Sequence, residues 1–243
     1  MANRPSPAAP PGTRLYAVGD IHGRADLLEA LLGQIGADAA RDPPTAKRLI
    51  YLGDYVDRGP ASSAVIDLVL HRRPLGFEVV ALMGNHEEMM LRFLEDIAVG
   101  RTWMMNGGDA TLLSYGVEAP STFAGTPLLS HAQQQFAERL PPQHRSFLEG
   151  LAISHTEGDY LFVHAGVRPG VPLDRQRTED LLWIRDEFLD STRDFGKVVV
   201  HGHSISLDPE FRANRIGIDT GAYRSGQLTC LVLEGTERRL LTT

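Results

Sequence analysis

The stretch "RLIYLGDYVDRGP", Arg48 to Pro60, runs an apolar segment straight into two aspartates and an arginine. The apolar part reads as a buried strand bounded by glycine. A fold alone does not need that much charge at a strand end, because charge buried without a partner is costly. A site for metal and phosphate does need it.

The pattern recurs twice. "RLYAVGD" (Arg14 to Asp20) leads into "GDIHG", and "FEVVALMGN" leads into "GNHE". Each apolar run is followed by an amphipathic stretch. Leu27, Leu28, Leu31, Leu32 and Ile35 recur at helical spacing in "RADLLEALLGQIG", "SSAVIDLVLHRR" reads as a second helix, and Met89, Met90, Phe93, Leu94 and Ile97 share one face of a third. Repeated strand–loop–helix units predict parallel strands with crossover helices. From Gly100 to Gly150 the pattern breaks, and the segment reads as a helical cap or lid inserted in one domain. Strands return at "DYLFVHAG", "KVVVHGHS", "RIGIDTG" and "LTCLVLEG". Their close spacing points to a mixed sheet. The class is α/β, with one domain over 14–243 and a proline-rich, disordered tail over 1–13.

The chain has 243 residues, 42% of them hydrophobic, and a net charge of −7. That balance argues against nucleic acid or a membrane surface as partner, since both usually require a basic excess. The single cysteine, Cys230, lies inside "LTCLVL" and reads as a small buried hydrophobe. The opening "MANRPSPAAPPG" lacks an apolar core, and no apolar run is long enough to span a bilayer. The expectation is a soluble cytoplasmic protein.

Three strands thus end in acidic, amide or imidazole groups on the loop that follows them, which in open α/β sheets is the ligand-binding edge. Asp20 and His22 lie two apart, so an extended segment points both to one side. Asp54 adds a carboxylate, Asn85 a neutral oxygen, and His164 and His203 two imidazoles. Mixed oxygen and nitrogen donors suit manganese, iron or zinc better than calcium. Six groups exceed one tetrahedral site and suit two divalent ions sharing a bridging carboxylate. Two such ions carry four positive charges; Asp20, Asp54 and a bridging hydroxide offset three, and the remainder favours an anionic substrate such as a phosphate ester. A phosphate monoester has a poor leaving group unless it is protonated. His86 is placed to be that acid, Asp57 to hold its far ring nitrogen, and Arg58 to fork two phosphate oxygens.

"GDIHG", "GDYVDRG", "GNHE", "VHAG" and "HGHS", in this order over residues 19–204, resemble the metallophosphoesterase signature. They are closest to the phosphoprotein phosphatase family in its bacterial and phage branch. The resemblance implies an αββα sandwich of two mixed sheets flanked by helices, with the calcineurin-like domain spanning 14–243 and its cap at about 100–150. It implies Asp20, His22 and Asp54 at a first metal, and Asp54, Asn85, His164 and His203 at a second, manganese foremost. It implies His86 and Asp57 as the acid pair, and Arg58 on phosphate with Asn85 beside it. "LLWIRDEF" resembles the stretch carrying a second phosphate arginine, here Arg185.

Two features depart from the eukaryotic members. Met83 stands where they usually carry an arginine, and their carboxy-terminal segment with a tyrosine near the site is not evident, "GIDTGA" taking its place. Their regulatory partners are therefore not carried over.

Other residues read as structural. His201 ends a strand and is expected to pack or hydrogen-bond. His71, His131, His144 and His155 belong to no motif. Asp219 reads equally as a turn residue or as a support for the site, and "MMLRFL" reads as core.

The expected function is hydrolysis of phosphate monoesters, foremost phosphoserine and phosphothreonine of proteins with phosphotyrosine also in range, by direct attack of the bridging hydroxide. Symmetrical dinucleoside tetraphosphate (Ap4A) hydrolases share the motif order, though their second block usually departs from "GDYVDRG". A phosphate-sensing binding module with a decayed site is the non-enzymatic alternative.

Overall fold

The computed structural model describes residues 6–41, 46–121 and 124–243. Ten strands form two five-stranded sheets packed face to face. In the first sheet, β1 (Thr13–Val18), β2 (Ala46–Tyr51) and β3 (Phe77–Ala81) run parallel. β9 (Thr229–Glu234) and β10 (Glu237–Thr242) add antiparallel strands beside β1. In the second, β5 (Tyr160–Val163), β6 (Val198–His201) and β8 (Arg215–Gly217) are parallel, edged by antiparallel β4 (Ser154–Glu157) and β7 (Glu210–Phe211). Both sheets are mixed, as expected.

The two-residue period of a strand divides the apolar side chains into three layers. Leu15 and Ala17 of β1, Leu231 and Leu233 of β9, Phe162 of β5 and Val200 of β6 meet between the sheets. The alternate residues Tyr16, Val18, Cys230 and Val232 face outward against α1 (Ala25–Arg41), α2 (Ser62–His71) and α3 (Asn85–Glu95). On the other side, Leu161, Val163 and Val199 pack under the region of α8 (Thr178–Trp183) and α9 (Asp186–Leu189). The order is helices, sheet, sheet, helices. Cys230 is fully buried in the first of these outer layers.

Residues 100–150 fold into α4 (Gly100–Met105), α5 (Gly108–Ser114), α6 (Thr126–Arg139) and α7 (Pro142–Glu149). The expectation of a lid needs correcting in one respect. Trp103, Leu112, Phe136 and Leu148 are fully buried in the same cluster as α1 and α3. These helices complete the main outer core instead of lying over it. His144 of α7 is buried between the Tyr115 hydroxyl (2.9 Å) and Asp67 (3.0 Å).

Of the tail expected to be disordered, residues 1–5 lie outside the described residues, and residues 7–9 are anchored. The Ala9 N–H donates to Gly235 O at 2.7 Å, the Tyr160 hydroxyl donates to Pro7 O at 3.1 Å, and Ala9 is buried between the sheets. A short α10 (Ala222–Ser225) follows β8. Among the described residues no helix is long and apolar enough to cross a membrane.

Candidate active site

Six strands deliver polar side chains to one edge of the sandwich, each just past its carboxyl end. Asp20 follows β1, Asp54 follows β2, Asn85 opens α3 after β3, His164 follows β5, His203 follows β6 and Asp219 follows β8. All six are buried. Five of these are metal-ligand candidates named from the sequence, and the sixth candidate, buried His22, stands two residues after Asp20; Asp219 was not named as a ligand, and the set draws on both sheets.

The local backbone is unusual in one consistent way. Among the described residues, five non-glycine positions adopt positive φ: His22 (46°), Asp54 (54°), Asp57 (71°), Arg58 (69°) and His203 (63°). Side chains avoid this region, yet all five belong to the site. Such strain persists only where the surroundings impose it. Glycine permits the closest approaches: a Cβ on Gly84 would fall on Oδ1 of Asp54, and one on Gly202 on Oδ1 of Asp20.

Hydrogen bonds fix the imidazole tautomers. His164 Nδ1 lies 2.9 Å from Leu52 O and His22 Nδ1 lies 2.8 Å from Val56 O, so both rings carry their proton there and turn a bare Nε2 inward. His164 Nε2 then stands 2.9 Å from Asn85 Oδ1, 3.2 Å from His203 Nδ1 and 3.4 Å from Asp54 Oδ1. His22 Nε2 stands 3.4 Å from Asp54 Oδ2. Around His164 lone pairs face lone pairs, an arrangement that asks for a cation between them, while the His22 Nε2 lone pair is met by the Arg58 guanidinium. Asp20 Oδ1 is buried without any protein partner, while its Oδ2 accepts the His203 N–H at 2.9 Å. The donor set fits divalent metals on these observations.

The same conclusion follows from charge. Burial holds the imidazoles of His22 and His203 down, to about 3 and about 2, and that of His164 below its ordinary value, so neutral ligands face the centre. Burial alone would raise Asp54, but the surrounding histidines, His164 foremost, hold it well below the usual carboxylate range. Asp54 joins two groupings that could each hold an ion, one with His22 and His86 and one with His164 and His203. One carboxylate serving two groupings is placed where it could be shared by two ions. Asp20 lies outside both groupings. Burial and then the charge of Asp219 push it well above its ordinary value. Asp219 accepts the Gly221 N–H at 2.9 Å and leaves Oδ2 buried without a partner. It therefore serves both as the turn residue and as a neighbour of the site.

The acid candidates stand together. His86 Nδ1 lies 2.6 Å from Asp57 Oδ2. Burial works to lower His86, but the Asp54 charge and the Asp57 hydrogen bond outweigh it, and the imidazole sits above its ordinary value. Arg58 Nη1 donates to His22 Nε2 at 2.8 Å, and Nη2 donates to His86 Nε2 at 3.0 Å. Its guanidinium lies 5.0 Å from the ring centre of Tyr223, whose ring is also 5.5 Å from His22. An aromatic ring thus stands beside the site directly after "GIDTGA", where the sequence had not made one evident. Arg185 approaches from α9, its Nη1 3.4 Å from His203 O. Trp183 is held at the rim by Glu88, to which its indole N–H donates at 2.6 Å. His201 stays out of the site, its Nδ1 donating to Gly202 O at 3.0 Å and its ring packed on Phe188.

Three supporting residues were not singled out by sequence reading. Glu87, inside "GNHE", accepts backbone N–H groups from Gly84 (2.9 Å), Asp54 (2.8 Å), Tyr55 (2.8 Å) and Val56 (3.2 Å). Burial, with the Asp54 charge, pushes its carboxyl up to about 8, against four donors that favour the carboxylate. Trp103 and Thr111 reach Asp57 from α4 and α5. The glutamate was legible as a possible capping box, being three residues after Gly84. The other two had no local signal.

Residues 13–225 match the calcineurin-like phosphoesterase family. A symmetrical bis(5'-nucleosyl)-tetraphosphatase of Dechloromonas aromatica is 35% identical over 67% of this chain and 47% of its own length. The chain thus spans about half the length of the symmetrical tetraphosphatases it matches. Serine/threonine-protein phosphatase 2 of Escherichia coli is 29% identical over 88% of this chain and 90% of its own. A solved structure provisionally assigned as a diadenosine tetraphosphatase superposes with a TM-score of 0.61 over 98% of this chain and 95% of its own, at 21% identity, which speaks for the fold alone. With its αββα sandwich, its buried polar residues at six strand ends and a family match over residues 13–225 that contains them all, this chain belongs to the calcineurin-like phosphoesterase family.

Proposed function

We propose that this phosphoesterase hydrolyses phosphate monoesters, with phosphoserine and phosphothreonine of proteins as its substrates and phosphotyrosine also within range. The observation that carries this reading is the 2.6 Å contact between His86 Nδ1 and Asp57 Oδ2, beside Arg58. An alkoxide leaving group needs a proton, and a positioned acid is worth about 10²–10⁴ in rate. A phosphoanhydride expels a phosphate, which leaves readily without one. The near full-length similarity to a serine/threonine phosphatase supports the same choice.

When bound at the acceptor cluster, two divalent ions, manganese foremost, supply a water of lowered pKa and offset phosphate charge. The rest is done by side chains. Arg58 forks two phosphate oxygens, and Arg185, beside His203 O, meets the substrate as a second cation. Moving onto phosphate takes the Arg58 guanidinium off Nε2 of His86, so the ring nitrogen that faces the leaving oxygen becomes free to carry a proton. His86 then gives that proton up as the P–O bond breaks. Asp57 keeps the imidazole in register and stabilises its charged form.

Hydrolysis of dinucleoside tetraphosphates is the second reading, favoured by the 35% identity to the symmetrical tetraphosphatase. The deciding experiment offers manganese-loaded protein a phosphothreonine peptide, a phosphotyrosine peptide and diadenosine tetraphosphate. Faster release of phosphate from the peptides supports the phosphatase. Preference for the dinucleotide replaces the substrate class and leaves the metal site as described.

A further inference from the structure

Asp57 and Arg58 are consecutive and both left-handed, with φ of 71° and 69°. Neither is a glycine, so something must hold them there. The holding groups come almost wholly from α4, α5 and the turn between them. Trp103 Nε1 donates to both oxygens of Asp57, at 3.1 and 2.9 Å. Thr111 Oγ1 donates to Asp57 Oδ1 at 2.7 Å and accepts the Asp57 N–H at 2.8 Å. The Arg58 N–H donates to Gly107 O at 3.1 Å, and Gly107 lies so close that a Cβ there would collide with the Arg58 backbone. From α2, Ser62 Oγ adds a second acceptor for the Asp57 N–H, at 3.1 Å.

Trp103 is fully buried, its ring packed between Phe93 and Phe136. Its indole cannot swing, so the N–H is a fixed point. Thr111 is fully buried as well. The Asp57 carboxylate is therefore oriented by donors from a segment some fifty residues away in sequence, and the carboxylate orients His86 in turn.

We propose that the α4–α5 hairpin is a clamp on the general acid: Trp103 and Thr111 are positioning residues that fix Asp57, and through it His86, for proton delivery to the leaving group. The kinetic side of this proposal rests on the phosphomonoesterase reading above. The clamp makes the 100–150 insertion part of the catalytic apparatus, a role distinct from selecting substrates.

The test uses Trp103→Phe, which keeps a buried ring and removes the N–H, and Thr111→Val, which keeps the shape and removes the hydroxyl. Thr111→Ser is the conservative control. Metal content and thermal midpoint are recorded for each. Two substrates are compared: a phosphothreonine peptide, whose alkoxide needs a proton, and p-nitrophenyl phosphate, whose phenolate does not. With Trp103→Phe and Thr111→Val, kcat on the peptide should fall about tenfold or more, with KM unchanged, while kcat on p-nitrophenyl phosphate falls less than about threefold. Thr111→Ser should recover most of the loss. Equal losses on the two substrates, no loss on either, or loss of bound metal overturns the proposal.

A second readout needs no substrate. The His86 Nδ1 proton, short-bonded to Asp57, should give a far-downfield proton resonance, assigned by its absence in His86→Asn. It should shift or broaden in both clamp variants, and an unmoved resonance overturns the proposal. If the wild-type protein cleaves neither phosphomonoester, the substrate reading fails and this resonance alone decides the clamp.

Discussion

The carboxylate of Glu87 accepts the backbone N–H of Asp54 at 2.8 Å and thereby holds the loop that carries the carboxylate shared by both candidate ion sites. Three further N–H groups, from Gly84, Tyr55 and Val56, end on the same carboxylate. Glu87→Ala strands all four donors in a fully buried place. Each costs about 1–3 kcal/mol when left unsatisfied, so we expect a loss of at least about 3 kcal/mol in urea unfolding of the metal-free protein. Glu87→Gln should lose roughly half as much, since one oxygen still accepts. An alanine variant of wild-type stability would remove Glu87 from the loop's support.

Asp54→Asn should weaken both metal positions at once, because one carboxylate serves two ligand groupings. Metal analysis after equilibrium dialysis reads this directly. Stoichiometric loss of a single ion, with the other retained at full affinity, would contradict the bridge.

Arg58→Ala removes the donor to Nε2 of both His22 and His86. On a phosphomonoester KM should rise and kcat fall, together reducing kcat/KM about 10²-fold or more. Arg185→Ala should act mainly on KM, since Arg185 touches His203 O and no other site group by hydrogen bond. Unchanged kinetics in Arg58→Ala would take that residue off the phosphate.

His201 offers a test in pH. Burial holds its imidazole down to about 4, against about 6.5 in an unfolded chain. Between those values the unfolded state binds a proton that the folded state refuses. The stability it contributes is full above pH 6.5 and drains as pH falls toward 4, at about 1.4 kcal/mol per pH unit. His201→Gln cannot take up that proton. Relative to wild type, its unfolding free energy should improve by about 2 kcal/mol between about pH 7 and about pH 4.5. A constant difference across that range would mean the histidine is not buried neutral.

Much of this architecture could be read from the chain itself, for local reasons. The units around Asp20, Asp54 and Asn85 announce themselves because strand, glycine, ligand and helix follow within a few residues. The strands missed were of another kind. β4 reads "SHTE", β7 reads "EF" and β10 reads "ERRLLT", edge strands that are short, polar or charged and lack the apolar run used to find the others. Trp103 and Thr111 could not be tied to Asp57 from sequence, because 46 and 54 residues separate them and only the folded core brings them together. The same reason explains why 100–150 looked like a lid: its buried aromatics match partners that lie far away in the chain.

The candidate ligands come from two sheets that share no strand. Asp20, Asp54 and Asn85 ride on one, His164 and His203 on the other, and the apolar layer containing Ile50 and Phe162 sets their separation. Metal affinity should therefore act as a gauge of inter-sheet spacing. A core substitution such as Phe162→Leu, in the inter-sheet layer two residues before His164, should register first as weakened metal retention, before any strand is lost.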